Sequence, residues 1–222
     1  MPTKLDAKKI IFSLILGCLV MAWVELVLLP GYWIKSLIKL AVFGLIPIAA
    51  LFTLEKTTLK NLFALRPGHL RTPLLIGLVT YGAILAAYFT LGPYFDLSRI
   101  PGSLEKNLGI TKSNFIFVAF YIATVNSFLE EFYFRGFAYI RLRESYGEKP
   151  SSVYSATLFS LYHIAIMNQW FSPVLFILLL FFLLLTGFFF NWISRREGTF
   201  MASWIIHLFA NLGINTVALF LF

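Results

Sequence analysis

The chain has 222 residues, 59% of them hydrophobic and only 13% charged, with a mean hydropathy of +0.84. Soluble domains carry about 25% charged residues, so this composition excludes an ordinary water-soluble fold, and 25 Phe side chains fit a chain whose solvent is lipid. The net charge of +8 falls in short clusters between apolar runs, the pattern of loops facing anionic lipid and not of a nucleic-acid surface, and the single Cys18 excludes a disulfide framework or cysteine metal cluster.

Seven apolar stretches approach the ~20 residues that a bilayer requires. They lie near 10–29, 34–54, 74–93, 115–140, 151–167, 172–193 and 200–221. The first follows Lys8 and Lys9 like a signal sequence, but its apolar run is too long for one and no small-residue cleavage site follows, so it reads as a retained anchor. Glu25 within it reads as a buried acid with a hydrogen-bond partner. The second is interrupted by Lys35 and Lys39 at its start and by Pro47, which predicts a tilt or kink. The fifth is short and polar-tinged, which suits a helix buried among others. The sixth is Phe-rich, and Phe188, Phe189 and Phe190 read as lipid-facing bulk. Before it, Asn168, Gln169 and Trp170 form a short outer loop with the Trp as an interfacial anchor.

Basic residues orient the bundle. Twelve fall on one side: Lys4, Lys8, Lys9, Lys56, Lys60, Arg66, Arg71, Arg141, Arg143, Lys149, Arg195 and Arg196. Five fall on the other: Lys35, Lys39, Arg99, Lys106 and Lys112. The positive-inside rule then puts the N-terminus in the cytoplasm and, with seven spans, the C-terminus outside.

The informative anomaly is Glu130-Glu131-Phe132-Tyr133-Phe134-Arg135, three charges in the interior of the fourth span. A charge at membrane depth costs at least ~2.5–3.5 kcal/mol on insertion scales. Glu131 and Arg135 are i,i+4 and can neutralise each other along one face, while Glu130, about 100° round the helix, stays available. Glu130 lies 11 residues before Arg141, His163 13 residues after Pro150, and His207 and Asn211 8 and 12 residues after Thr199. At 1.5 Å per residue these depths are roughly 12–20 Å from the cytoplasmic end, so the four side chains can meet in one layer between the fourth, fifth and seventh spans. Singly, each imidazole reads as a packing residue and Asn211 as interhelical glue. Jointly they supply a carboxylate and imidazole to take a proton from water, and an imidazole and amide to face a developing oxyanion, as peptide-bond hydrolysis requires.

The set Glu130-Glu131-x-x-x-Arg135-Gly136, Phe159-x-x-x-His163 and His207-x-x-x-Asn211 resembles the three motifs of the CAAX protease and bacteriocin-processing (CPBP, or ABI) family of intramembrane proteases, which includes the type II CAAX prenyl endopeptidases. The resemblance covers roughly residues 115–215. It implies an all-α polytopic bundle of about seven spans, one integral-membrane domain over 1–222, with motif-free spans in 1–114 and a catalytic core in 115–222. It also implies that Glu130 and His163 activate water, His207 and Asn211 stabilise the oxyanion, and Glu131 and Arg135 support the site. The expected substrate is a membrane-associated or lipidated protein or peptide. The expected setting is a multi-pass protein of the bilayer (the cytoplasmic membrane in a prokaryote), with no nucleic-acid partner.

Alternatives stay open. One is a non-catalytic scaffold or bacteriocin-immunity protein of the same fold. Another is a polar-substrate transporter, which lacks its expected inverted repeats here. Ser203, i,i+4 from His207, offers a Ser–His dyad but leaves Glu130 and His163 unused. Glu130, His163 and His207 form the three N/O ligands of a catalytic zinc site. The same residues suffice without metal, and Asn211 is a poor zinc ligand, so we expect no metal requirement.

Overall fold

The computed structural model describes residues 4–52, 60–65, 67–167 and 171–222. It contains helices and no strands among these residues. Lys56, Arg66 and the loop of Asn168, Gln169 and Trp170 lie outside the described residues.

The transmembrane helices are α1 (Ala7–Leu28), α2 (Tyr32–Leu51), α3 (Arg71–Leu91), α5 (Phe115–Tyr146), α7 (Pro173–Glu197) and α8 (Met201–Leu221). Between α3 and α5 lies α4 (Arg99–Leu108), a short amphipathic helix, and between α5 and α7 lies α6 (Glu148–Met167). Six described helices are thus long and apolar enough to cross a bilayer. The seventh expected span corresponds to α6, which has 20 residues but falls short in apolarity. Its Ser151, Ser155 and Ser160 are buried against protein, so neighbours and not lipid surround its polar face.

The chain alternates direction through the bundle. Tyr154 donates to the Ile11 carbonyl at 3.1 Å, Thr199 to the Leu62 carbonyl at 2.7 Å, and Arg195 pairs with Glu148 at 2.7 Å. These contacts gather the N-terminal helix start, residue 62, the α5–α6 turn and the α7–α8 turn at one end. Phe222 packs on Phe115, ring centroids 5.1 Å apart, at the opposite end. The two turns at the first end are sharp because Gly147 and Gly198 adopt left-handed backbone (φ 81° and 69°), which glycine takes without a Cβ penalty.

Long α5 is the axle of the fold. Every residue from Phe132 to Tyr139 is buried, and this stretch packs against α1, α2, α6 and α7. Its hydrogen bonding loosens to a π-helical pattern at Ile122–Asn126 and again at Phe132–Ile140, flanking the α-helical turn Ser127–Glu131. Such segments leave carbonyls available to neighbours. Trp204, Asn211 and Asn215 of α8 donate to the carbonyls of Thr124 (3.1 Å), Ile122 (3.2 Å) and Ala119 (2.9 Å). The expected distortion of α2 takes the same form: Leu40–Leu45 is π-helical just before Pro47, with Ile46 N–H bonded to Ala41 C=O.

Close approach between α6 and α7 depends on small residues, as in membrane packing generally. Gly187 faces the Ala156 backbone, Ser160 donates to Leu180 C=O at 2.8 Å, and Asn191 donates to Ser152 C=O at 3.1 Å. Large exposed apolar side chains, among them Phe12, Leu37, Val79, Phe120 and Val174, cover the outside where lipid tails lie. The expectation for the sixth stretch needs one correction. Phe190 is not lipid-facing but buried, 5.1 Å from the Arg135 guanidinium and 5.4 Å from the His207 ring, because α7 turns this edge toward α5 and α8.

Candidate active site

Glu130, His163 and His207 converge from α5, α6 and α8. The Nε2 atoms of His163 and His207 stand 3.9 and 3.8 Å from the same oxygen, Glu130 Oε2. Those gaps exceed a hydrogen bond and suit a bridging atom. The other nitrogen of each ring is committed. His163 Nδ1 lies 2.7 Å from the Phe159 carbonyl one turn back. A carbonyl only accepts, so Nδ1 carries the proton, and the neutral ring turns an Nε2 lone pair toward Glu130. His207 Nδ1 lies 2.9 Å from Glu131 Oε1, which likewise assigns its proton to Nδ1. Two imidazole Nε2 atoms and a carboxylate oxygen therefore face one another.

Glu131 and Arg135 are fully buried and paired at 3.1 Å. The guanidinium is further covered by Phe159, 4.2 Å from ring centroid to Cζ. Glu131 Oε1 thus serves two donors, Arg135 and His207. The i,i+4 pairing is legible in sequence; the link to His207, 76 residues away, is not.

Asn211 is buried one turn beyond His207, and one hydrogen of its amide is given to the Ile122 carbonyl at 3.2 Å. Ser203 does not form a dyad with His207. Its hydroxyl donates to Phe200 C=O at 2.8 Å and accepts from Ser194 at 3.0 Å, so the Ser–His arrangement is excluded by the fold of the α7–α8 turn.

Sequence reasoning missed two members of the site, Lys39 and Asn126. Lys39 and Lys35 read as loop charges at the start of the second span, but each is paired with an acid within the bundle. Lys39 Nζ is 2.5 Å from Glu130 Oε1 and 2.6 Å from Asn126 Oδ1, and Asn126 Nδ2 donates to the same Glu130 oxygen at 3.2 Å. Lys35 pairs with Glu25, the α1 acid. The available signals were the i,i+4 spacing of Asn126 to Glu130 and two lysines embedded in an apolar run, each needing a counter-charge at depth. Depth alone did not say which acid each would meet.

Among the described residues no group of three His, Cys, Asp or Glu side chains is arranged to hold an ion. The carboxylate that would be a ligand is already neutralised by the Lys39 ammonium. A divalent ion beside that ammonium would be repelled, so the residues do not fit a catalytic zinc.

Residues 112–213 match the family model of the type II CAAX prenyl endopeptidase Rce1-like proteins. This stretch is an Rce1-like domain. No curated protein and no solved structure matches the chain. The Rce1-like domain begins just before α5 and ends within α8, so it holds Glu130, Glu131, Arg135, His163, His207 and Asn211. The match supports a CAAX endopeptidase at the level of the family, and six described helices long and apolar enough to cross a bilayer accord with an integral membrane protein. Lys39 lies outside the Rce1-like domain yet touches its central carboxylate.

Proposed function

We propose that the protein is an intramembrane endopeptidase that hydrolyses a peptide bond near the C-terminus of a lipidated, CAAX-type protein, with a water held by Glu130 and His163. The observation that carries this reading is the meeting of two imidazole Nε2 lone pairs and Glu130 Oε2 at 3.8–3.9 Å. Of the atoms around that point, Glu130 Oε2 and His163 Nε2 suit a water that donates its two hydrogens and is turned into a nucleophile.

In this reading the water oxygen attacks the scissile carbonyl carbon as its proton passes to the Glu130–His163 pair. That one proton passes on from Glu130 Oε2 to His207 Nε2, and the resulting Nε2–H, on a ring held at Nδ1 by the Glu131 carboxylate, faces the oxyanion. Asn211 has a second amide hydrogen beyond the one given to Ile122 and adds to the same role. The tetrahedral adduct collapses with cleavage of the C–N bond, and the departing amine takes the proton. No metal takes part. The basic ends gathered at residues 141–149 and 195–196 face the cytoplasm, where an anionic membrane surface and a lipidated chain are found.

One observation favours the non-catalytic scaffold: the Lys39–Glu130 pair could be a purely structural knot. That pair engages Oε1, however, and leaves Oε2 toward the imidazoles.

The test uses full-length protein purified in detergent and an internally quenched farnesylated CAAX peptide. Cleavage by wild type, with at least ~100-fold loss in Glu130→Gln and His163→Ala, is expected, in line with general-base contributions of that order. Full turnover by Glu130→Gln would refute the base assignment. Equal cleavage of the peptide without its prenyl group would move the substrate class to unmodified membrane peptides.

A further inference from the structure

We infer that Lys39, on α2 and outside the Rce1-like domain, is a positioning residue that orients Glu130, so that the catalytic site is complete only with an N-terminal span. This inference rests on the proteolytic reading for its kinetic consequence and on geometry for its structural one.

Lys39 is 4% exposed, on a span whose continuation to Leu51 is apolar. An ammonium at such depth survives only where its protons and charge are taken up. Lys39 places its charge against Glu130 Oε1 at 2.5 Å and donates to Asn126 Oδ1 at 2.6 Å. It also sits 5.1 Å from the centroid of the Tyr162 ring, a cation–π contact on α6. Asn126 closes the triangle by donating to Glu130 Oε1 at 3.2 Å.

The consequence concerns one torsion. The terminal torsion of a Glu side chain is broad and roughly two-fold, so an unanchored carboxylate samples orientations freely. Here every donor from Lys39 and Asn126 falls on Oε1, and Oε2 is left turned toward both imidazoles. The anchor itself is stiff. Phe43, one turn beyond Lys39, stacks on Tyr133 of α5 with centroids 3.9 Å apart and planes within 4°. That stack fixes the register of α2 against the helix carrying Glu130.

The experiment compares full-length Lys39→Met, Lys39→Arg, Glu130→Gln and the double variant Lys39→Met/Glu130→Gln with wild type, in detergent, using the farnesylated peptide. In Lys39→Met, kcat should fall at least ~100-fold, as for a misplaced catalytic group, with KM within about 3-fold. Lys39→Arg, which keeps the charge, should recover at least about a tenth of wild-type kcat. Thermal unfolding supplies a readout independent of cleavage. Each single substitution leaves one charge unpaired and should lower the midpoint by ~5 °C or more, while the double variant should lose less than the two single losses together. Wild-type kcat in Lys39→Met would overturn the inference, as would an Lys39→Arg protein that is folded and as inactive as Lys39→Met. Additive thermal losses would overturn it too. Should wild type itself not cleave, the proteolytic reading fails, and the thermal cycle alone decides whether Lys39 anchors Glu130.

Discussion

His207 donates its Nδ1–H to the Glu131 carboxylate, 2.9 Å away, and by doing so aims its Nε2 at Glu130. Two adjacent acids on one helix are thereby assigned different work. Glu131 orients a ring and neutralises Arg135, and Glu130 faces the rings with a free oxygen. The separation arises because successive helical residues diverge by about 100°, and α8 approaches close enough for one imidazole to span both.

That relationship sets the first prediction. Glu131→Gln should reduce both protein stability and activity, because it leaves Arg135 buried without its counter-charge and replaces the carboxylate behind His207 with a neutral amide. Breaking a buried pair in this way costs ~3–5 kcal/mol. Thermal unfolding in detergent checks the stability loss, and a variant as stable as wild type would show that Arg135 finds its neutralisation elsewhere.

Glu130→Gln removes the proposed base and also breaks the ion pair with Lys39. The variant should lose cleavage and also some thermal stability, less than Glu131→Gln, since Lys39 keeps Asn126 and the Tyr162 ring as partners. A thermal midpoint identical to that of wild type would contradict the pairing.

Prolonged dialysis against a strong chelator should leave activity intact, and the purified enzyme should contain less than one equivalent of zinc. Lys39 already supplies the positive charge that a metal would bring to Glu130. Stoichiometric zinc that leaves with activity, and restores it on return, would recast Glu130, His163 and His207 as ligands. The dialysis must be long, because a buried site releases metal slowly.

Packing between α6 and α7 gives a prediction away from charged groups. A Cβ added at Gly187 would sit 2.9 Å from Ala156 Cα, closer than real contacts allow, and that neighbour is backbone. Gly187→Ala should therefore push α6 outward and cost ~1–3 kcal/mol, as over-packing does. It should also lower kcat, since His163 rides on α6. Gly82→Ala, where a Cβ meets nothing within 4 Å, is the matched control and should be near neutral. Equal thermal midpoints for the two variants would show that α6 has slack.

The sidedness of the bundle is open to direct measurement. Reporter fusions after Gly147 and after Phe222 should report opposite sides of the membrane, cytoplasmic for the first. The internal contacts place these two positions at opposite ends, and the basic residues lie mainly at the Gly147 end. Moving Lys39 from the loop count to the site only strengthens that bias. Reporters on one side would require α6 to re-enter without crossing.

The sequence by itself determined that this is a polytopic helical membrane protein and which helices carry its three motifs. Both follow from local quantities: apolar run length, helical periodicity and the cost of charge in lipid. It also determined the Glu131–Arg135 pair, whose partners are one turn apart on one helix. The tertiary structure decided what those motifs touch. It brought Lys39 to Glu130 across 91 residues and to Asn126 across 87, turned Phe190 inward, sent the Ser203 hydroxyl to a carbonyl, and tied the Asn211 amide to α5. Periodicity states which face of its own helix a residue occupies, and nothing about which neighbour that face will meet. That choice is made by packing, where a π-helical α5, a stacked Phe43–Tyr133 pair and the bare surface of Gly187 set the register between helices.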